Sequence, residues 1–263
     1  VMRRTLLYGG LESIEHNINR KAQDLMMYEF GNIYNFNPAA ESTAEKPLAP
    51  FSEGSRLALW MTGRSRMASW NHAAEDVTFF DLKAVVANIL ARLGVSNREI
   101  TLKQQGADAV YSASLALATR SGKSLGSLGM LSKKTLKDMG IKQPVMYAEL
   151  DWDALVKLSL KKSVSYTALP KTMPVNRDLA LLLDSAVTFD QVVKVVGDSE
   201  KRLLKDVRLF DVYEGKNLPE GKKSYAISIT LQDDEKTLQD KLIDATMTRI
   251  VDNLKKQLGA ELR

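Results

Sequence analysis

From Ser224 to Leu231 the chain alternates without a break. Tyr225, Ile227, Ile229 and Leu231 fall on one side, Ser224, Ala226, Ser228 and Thr230 on the other. That period of two predicts a strand with one covered face. Upstream, the short apolar stretch from Asp178 to Leu183 reads as a buried strand. A helix is expected from about Thr188 to Val196, and another strand from Asp206 to Tyr213. Between them and the alternating strand lie Glu214 to Lys223, where Gly215, Asn217, Pro219 and Gly221 supply turn chemistry. Asp233 to Lys236 breaks the pattern. Thr237 is then placed to cap a helix whose apolar stripe is Leu238, Leu242, Ile243, Ala245, Ile250, Leu254 and Leu258, and which Gly259 stops. In order, these elements describe a ferredoxin-like βαββαβ module with two helices on one face of an antiparallel sheet.

The first part of the chain mixes helices and strands. Leu11, Ile14, Ile18, Ala22 and Leu25 are spaced for one helix face over Leu11 to Asp24. Strands are expected at Tyr28 to Phe36 and Arg56 to Thr62, with Asn37 to Phe51 as a long loop carrying Pro38, Pro47 and Pro50. Phe79 to Leu93 predicts a helix, its buried side Phe80, Ala84, Ala87, Ile89, Leu90 and Leu93, ended by Gly94. Short strands follow near Ile100 to Lys103, Ser112 to Thr119, Ser124 to Met130 and Pro144 to Leu150. Asp151 caps a last helix reaching Leu158. The boundary falls between about Lys161 and Thr172: Lys161 to Thr167 is polar, Pro170 and Pro174 bracket an extended stretch, and the whole reads as a connector between a domain at 1–165 and one at 166–263. The fold class is therefore α+β.

Composition narrows the picture. The 263 residues can bury a sizeable core, and no apolar run is long enough to cross a bilayer. Zero cysteines rule out disulfides, thiolate chemistry and cysteine-ligated zinc, and fit a cytoplasmic protein. The chain starts at Val1, and Arg3-Arg4 precedes too brief an apolar stretch for a signal peptide, so it reads as a piece of something longer. The net charge of +5 lies wholly in residues 1–165. Residues 166–263 balance 16 Lys and Arg against 16 Asp and Glu, so total charge gives that domain no argument for nucleic acid.

The motifs Pro174-Val175-Asn176-Arg177-Asp178, Leu209-Phe210-Asp211-Val212-Tyr213-Glu214-Gly215, Gly221-Lys222-Lys223-Ser224-Tyr225-Ala226 and Thr237-Leu238-Gln239-Asp240 occur in an order that resembles a known module. It is the ferredoxin-fold anticodon-binding domain ending the bacterial phenylalanyl-tRNA synthetase beta subunit. The first domain resembles the same subunit through Val1 to Leu7, Tyr28-Glu29-Phe30-Gly31, Asp76 to Lys83, Leu125 to Gly129 and Glu149-Leu150-Asp151. It departs where Tyr8-Gly9-Gly10 replaces a more usual Leu-Pro-Gly, and where Met130-Leu131-Ser132 stands at a common His-Pro. The resemblance implies a class II synthetase-like antiparallel core that has lost its catalytic residues and docks on the catalytic alpha subunit. It also implies a heterotetramer of two alpha and two beta chains that charges phenylalanine tRNA, with ATP and Mg2+ belonging to the assembly and no cofactor in this piece.

The residues offer little independent chemistry. Gly122-Lys123-Ser124 lacks the glycine five positions earlier that a phosphate loop needs, Leu117 standing there, so turn chemistry is the reading. His16 and His72 have no metal-ligand spacing or orienting carboxylate. Arg64-Ser65-Arg66 near Trp70 is either an RNA-stacking patch or an anchored basic loop. For RNA, the candidate surface is the open sheet face: Ser224, Ser228 and Thr230 pointing outward, Arg208 and Phe210 beside them, and Lys171, Lys222, Lys223 and Arg263 at the margins for phosphates. Arg177 stands open between RNA contact and an ion pair with Asp178. Phe210 and Tyr213 stand open between stacking platforms and core anchors. The alternative reading is a non-enzymatic interaction module whose ferredoxin-like domain binds protein or a small ligand.

Overall fold

The structure, a computed structural model, describes every residue except Val1, Arg98, Val164, Ser165 and Thr167. It divides into two compact units, 1–164 and 165–263. The expected connector includes Val164, Ser165 and Thr167, which lie outside the described residues. No helix among the described residues is long and apolar enough to cross a membrane.

The first unit runs α1 (Leu7–Asn19), β1 (Leu25–Phe36), β2 (Phe51–Thr62), β3 (Arg64–Arg66), β4 (Glu75–Asp76), α2 (Phe79–Arg92), β5 (Ile100–Gln105), β6 (Tyr111–Thr119), β7 (Ser124–Leu131), α3 (Lys133–Asp138), β8 (Val145–Asp151) and α4 (Trp152–Ser159). Six strands make one antiparallel sheet in the order β1-β2-β8-β7-β6-β5. Alternation along β2 feeds two cores. Leu57, Leu59 and Met61 meet α2 and α4 on one face, while Ala58 and Trp60 meet α1 and α3 on the other.

Local chemistry corrects several expectations. The first helix begins at Leu7, not Leu11, and ends at Asn19, leaving Ala22 and Leu25 outside it. Gly9 and Gly10 argue against an early start, yet Gly10 is where the helix lies against Trp60. A β-carbon there would sit 2.1 Å from the indole. Lys21 then turns the chain with a positive φ of 72°. In α2 the buried residues are Leu82, Val86 and Leu90; Phe80, Ala84 and Ala87 face solvent. Phe79 packs on the core instead, and Thr78 and Asp81 close a capping box. Asp151 does cap α4, accepting from the Ala154 amide at 2.9 Å. Helix α3 and the β3–β4 hairpin are additions to the sequence reading. Both are shorter than hydrophobic periodicity can register.

The second unit runs β9 (Val175–Asp184), α5 (Phe189–Ser199), β10 (Leu204–Tyr213), β11 (Lys222–Leu231), α6 (Asp240–Leu258) and β12 (Glu261–Leu262). Its antiparallel sheet has the order β10-β11-β9-β12, the ferredoxin-like arrangement. Both helices cover one face, burying Leu181, Leu183, Val192, Val196, Ile227, Ile229, Leu231, Ile250 and Leu254. Thr188 caps α5 in a capping box with Gln191. Thr237 does not cap α6: the N-cap is Gln239, with no side-chain cap bond. The buried stripe of α6 is Ile243, Thr246, Ile250 and Leu254, and Leu242 and Ala245 are exposed. Gly259 ends that helix in the left-handed region, φ 62°.

Candidate nucleic-acid interface

The face of the second sheet opposite its helices is built by strand register. Asp178, Ser228 and Arg208 form one row across β9, β11 and β10; Asn176, Thr230 and Asp206 form the next. With Phe210 these residues line a shallow depression of about 360 Å³. Thr230 donates to the Asn176 side chain at 2.8 Å. Among the described residues, no side-chain hydrogen bond or ion pair engages Asp178, Asp206, Arg208 or Ser228. The ion pair considered between Arg177 and Asp178 is not formed. Arg177 follows the helix-facing alternation of β9 and donates to the Asn176 carbonyl at 3.2 Å.

Phe210 is half exposed, at 53 %. Leu209 pairs with Ile227 and Asp211 with Ala226, so Phe210 is the extra residue of a β-bulge, and a bulge re-aims a side chain relative to its neighbours. It is not a core anchor.

Past the bulge, Ala180 and Ala226 leave a low floor. Beyond them Tyr213 lies opposite Ser224, and the Arg263 guanidinium sits 5.9 Å over the Tyr213 ring. The Arg263 amide is held by the Ala180 carbonyl at 3.0 Å. Ser224, expected in the open, is only 7 % exposed.

The marginal lysines separate. Lys222 keeps to the open-face alternation of β11, half buried, opposite Asp184. Lys223 alternates to the helix side, is 7 % exposed, and places its ammonium 4.7 Å from the centroid of the Tyr225 ring. Lys171 is exposed, next to Thr172, whose carbonyl accepts from Gln232 at 2.7 Å. The structure thus brings Arg208, Phe210 and Ser228 together, and sets Arg177, Lys223 and Ser224 apart from them. Asn176, Asp178 and Asp206 join the group unannounced. The even-numbered alternation of β9 and β10 was the signal for them.

The first unit holds a polar depression of about 540 Å³ lined by Thr5, Arg56, Tyr111, Ser127, Tyr147, Glu149 and Asp151 among others. Its charges are spoken for. Glu149 accepts from the Thr5 hydroxyl at 2.6 Å, the Leu6 amide at 3.1 Å and the Tyr147 hydroxyl. Arg56 bridges Glu149 at 3.9 Å and Asp151 at 2.9 Å. Burial, with the Glu149 carboxylate adding to it, pushes the Tyr147 hydroxyl far above its ordinary pKa, which keeps it a neutral donor. Among the described residues no cluster of three His, Cys, Asp or Glu is placed to hold a metal ion.

Other motifs resolve into structure. Gly122 has φ 87° in the β6–β7 turn, where the Lys123 amide donates to Thr119 Oγ1 at 3.0 Å. Arg64 pairs with Asp24 at 2.9 Å and Arg66 with Glu75 at 3.7 Å, while Trp70 is 96 % exposed. On β1, Met26, Tyr28 and Phe30 form an exposed apolar row at alternate positions, Phe30 meeting Trp152 edge-on at 4.8 Å.

Comparison with known proteins places these features. Residues 1–152 match the family described as phenylalanyl tRNA synthetase beta chain CLM domain, and residues 170–263 match the ferredoxin-fold anticodon binding domain. The chain is 49 % identical over 262 residues to a phenylalanine–tRNA ligase beta subunit of Bacteroides fragilis, and 48 % identical to that of Porphyromonas gingivalis. Each alignment covers 100 % of this chain and 32 % of the relative. The same subunit of Bacillus subtilis is 31 % identical, again over 100 % of this chain and 31 % of its own. The chain thus spans about a third of the length of the curated relatives it matches. Among solved structures, a pyrrolysyl-tRNA synthetase from Desulfitobacterium hafniense aligns at 15 % identity with a TM-score of 0.43, covering 62 % of this chain and 55 % of that one. With its own family model matching more than half of its residues, the chain belongs to the phenylalanyl-tRNA synthetase beta chain family.

Proposed function

We propose that this chain is the C-terminal part of a phenylalanine–tRNA ligase beta subunit, and that residues 166–263 grip the anticodon stem-loop of the tRNA on the open sheet face. The observation that carries this is the exposed Phe210 beside the unpaired Arg208 and Ser228, on a sheet face that the unit's own helices leave uncovered. Unstacked loop bases need aromatic faces and hydrogen-bonding edges, and their phosphates need cations. Arg208, Phe210 and Ser228 supply the first two, with Lys171, Lys222 and Arg263 around them.

Residues 1–165 are the non-catalytic partner-docking domain in this reading. The exposed Met26, Tyr28 and Phe30 row is the apolar surface for the alpha subunit, since contiguous exposed apolar side chains mark protein contacts. The assembly is a cytoplasmic heterotetramer of two alpha and two beta chains that uses ATP and Mg2+. In the first unit's polar depression Arg56 is bridged to both Glu149 and Asp151, and no step of the reaction is assigned there.

Titrating the 263-residue chain with an anticodon stem-loop at two salt concentrations tests this reading. Salt-sensitive binding that weakens on Arg208→Ala supports it. Phenylalanine activation by this chain without an alpha subunit would refute the non-catalytic assignment.

A further inference from the structure

One carboxylate oxygen in the first unit has hydrogen-bonding capacity that the fold does not use. Strand register lays Ala58, Glu149, Ser127 and Ala116 in one row across β2, β8, β7 and β6. The flanking alanines keep that row low, and Glu149, Ser127 and Ala116 line the polar depression of about 540 Å³. Two residues along, Tyr147 pairs with Gly129. A β-carbon on Gly129 would sit 2.8 Å from the Tyr111 ring, so its absence lets that ring lie close to the sheet, stacked beside Tyr147 at 6.1 Å. The Tyr111 hydroxyl thereby reaches Ser127 Oγ at 3.1 Å. Glu149, Ser127 and Tyr111 converge on one spot.

The two oxygens of Glu149 do different work. Thr5 Oγ1, the Leu6 amide and the Tyr147 hydroxyl all donate to Oε2, which fixes the start of α1. Oε1 makes no hydrogen bond among the described residues, and Arg56 Nε stands 3.9 Å from it, too far for one. Arg56 is drawn instead to Asp151, at 2.9 Å. Two carboxylates against one guanidinium leave the lining one formal negative charge in excess. A cation is therefore attracted and an anion repelled. A hard metal ion takes six or more oxygen ligands, several of them carboxylates, and among the described residues no three His, Cys, Asp or Glu cluster to supply them. An ammonium suits the spot better, because it carries three donors and no acceptor, while a carboxylate and two hydroxyls all accept. We propose that the depression binds a small primary amine. Its ammonium sits on Glu149 Oε1 and the Ser127 and Tyr111 hydroxyls, and its carbon body lies against Val110 and the half-exposed Tyr8 ring. The site does not rest on the RNA-binding role of the second unit.

The test uses the 263-residue chain and three probes of one shape: benzylamine, benzyl alcohol and benzoate. Calorimetric titration at neutral pH is expected to show saturable benzylamine binding at about a millimolar, the scale for so small a ligand. Benzyl alcohol, which lacks the charge, and benzoate, which reverses it, should bind about tenfold more weakly or worse. Glu149→Gln keeps the shape and removes the charge, and should weaken benzylamine by about tenfold. Because Glu149 also holds the start of α1, Ser127→Val provides a second route. It fills the floor without touching the contacts of Oε2, so benzylamine binding should be lost while thermal unfolding stays as in the wild type. Three probes bound equally, no benzylamine bound at about 10 mM, or benzylamine binding unaltered by either substitution would overturn the proposal. Each of those results leaves the RNA-binding role standing.

Discussion

The ammonium of Lys223 lies 4.7 Å from the centre of the Tyr225 ring, on the helix-covered side of the second sheet, and the residue is 7 % exposed. It is thus part of the domain's interior edge, while its neighbour Lys222 keeps to the open side. A Lys-Lys pair reads as one basic spot in sequence, but a strand sends its two members to opposite faces. Lys223→Ala should lower the stability of the second unit by about 1 kcal/mol, from the lost cation–π contact and side-chain packing. It should leave RNA affinity unchanged. Denaturant unfolding alongside a stem-loop titration checks both halves.

Arg208→Ala is the mirror image. Arg208 is exposed and has no ion-pair partner among the described residues, so unfolding should stay within about 0.5 kcal/mol of wild type. Affinity for the stem-loop should drop several-fold.

Gly10→Ala targets the first unit. A β-carbon there would lie 2.1 Å from the Trp60 ring, and the Trp60 side chain is fully buried. Overpacking of this kind costs roughly 1–3 kcal/mol. Thermal unfolding should show the loss in that unit and none in the second. A variant as stable as wild type would mean that α1 lifts off Trp60 without cost.

Acid should weaken the second unit through Glu200. Burial pushes its carboxyl up, but the amides of Leu203 and Arg202 and the Arg249 guanidinium outweigh burial and hold it below its ordinary 4.5. A carboxyl depressed in the folded state stabilises above its unfolded pKa and loses that contribution as pH falls through the folded value. Between neutral pH and about 4.5 the contribution is complete. Below that it fades. Glu200→Gln should be less stable than wild type at neutral pH and converge toward it in acid, as read by urea midpoints across the pH range.

The α5 cap offers a simpler check. Thr188→Ala removes an acceptor for the Gln191 amide and half of a capping box, a loss of about 1 kcal/mol.

Legibility in the sequence followed the length and regularity of each signal. The strict alternation of β11 carried its strand and its buried face. In α2, counting Ala84 and Ala87 as apolar rotated the expected face, because alanine suits a helix in water as well as in a core; Leu82, Val86 and Leu90 were the true stripe. The contact of Arg263 with the Tyr213 ring joins residues far apart in the chain, beyond any local pattern. The bulge at Phe210 was hidden for another reason. An inserted residue keeps the composition of the strand while changing where one ring points. Asp178 and Asp206 were visible as residues, but only register shows them flanking one depression.

The central claim is that the open face around Phe210 and Arg208 is the RNA-binding surface. Its most direct test is the affinity of the 263-residue chain for a phenylalanine tRNA anticodon stem-loop, set against the same chain carrying Arg208→Ala and Phe210→Ala together. The account predicts salt-sensitive binding that falls at least tenfold in the double variant with unfolding unchanged. Equal affinity of the two proteins would contradict it.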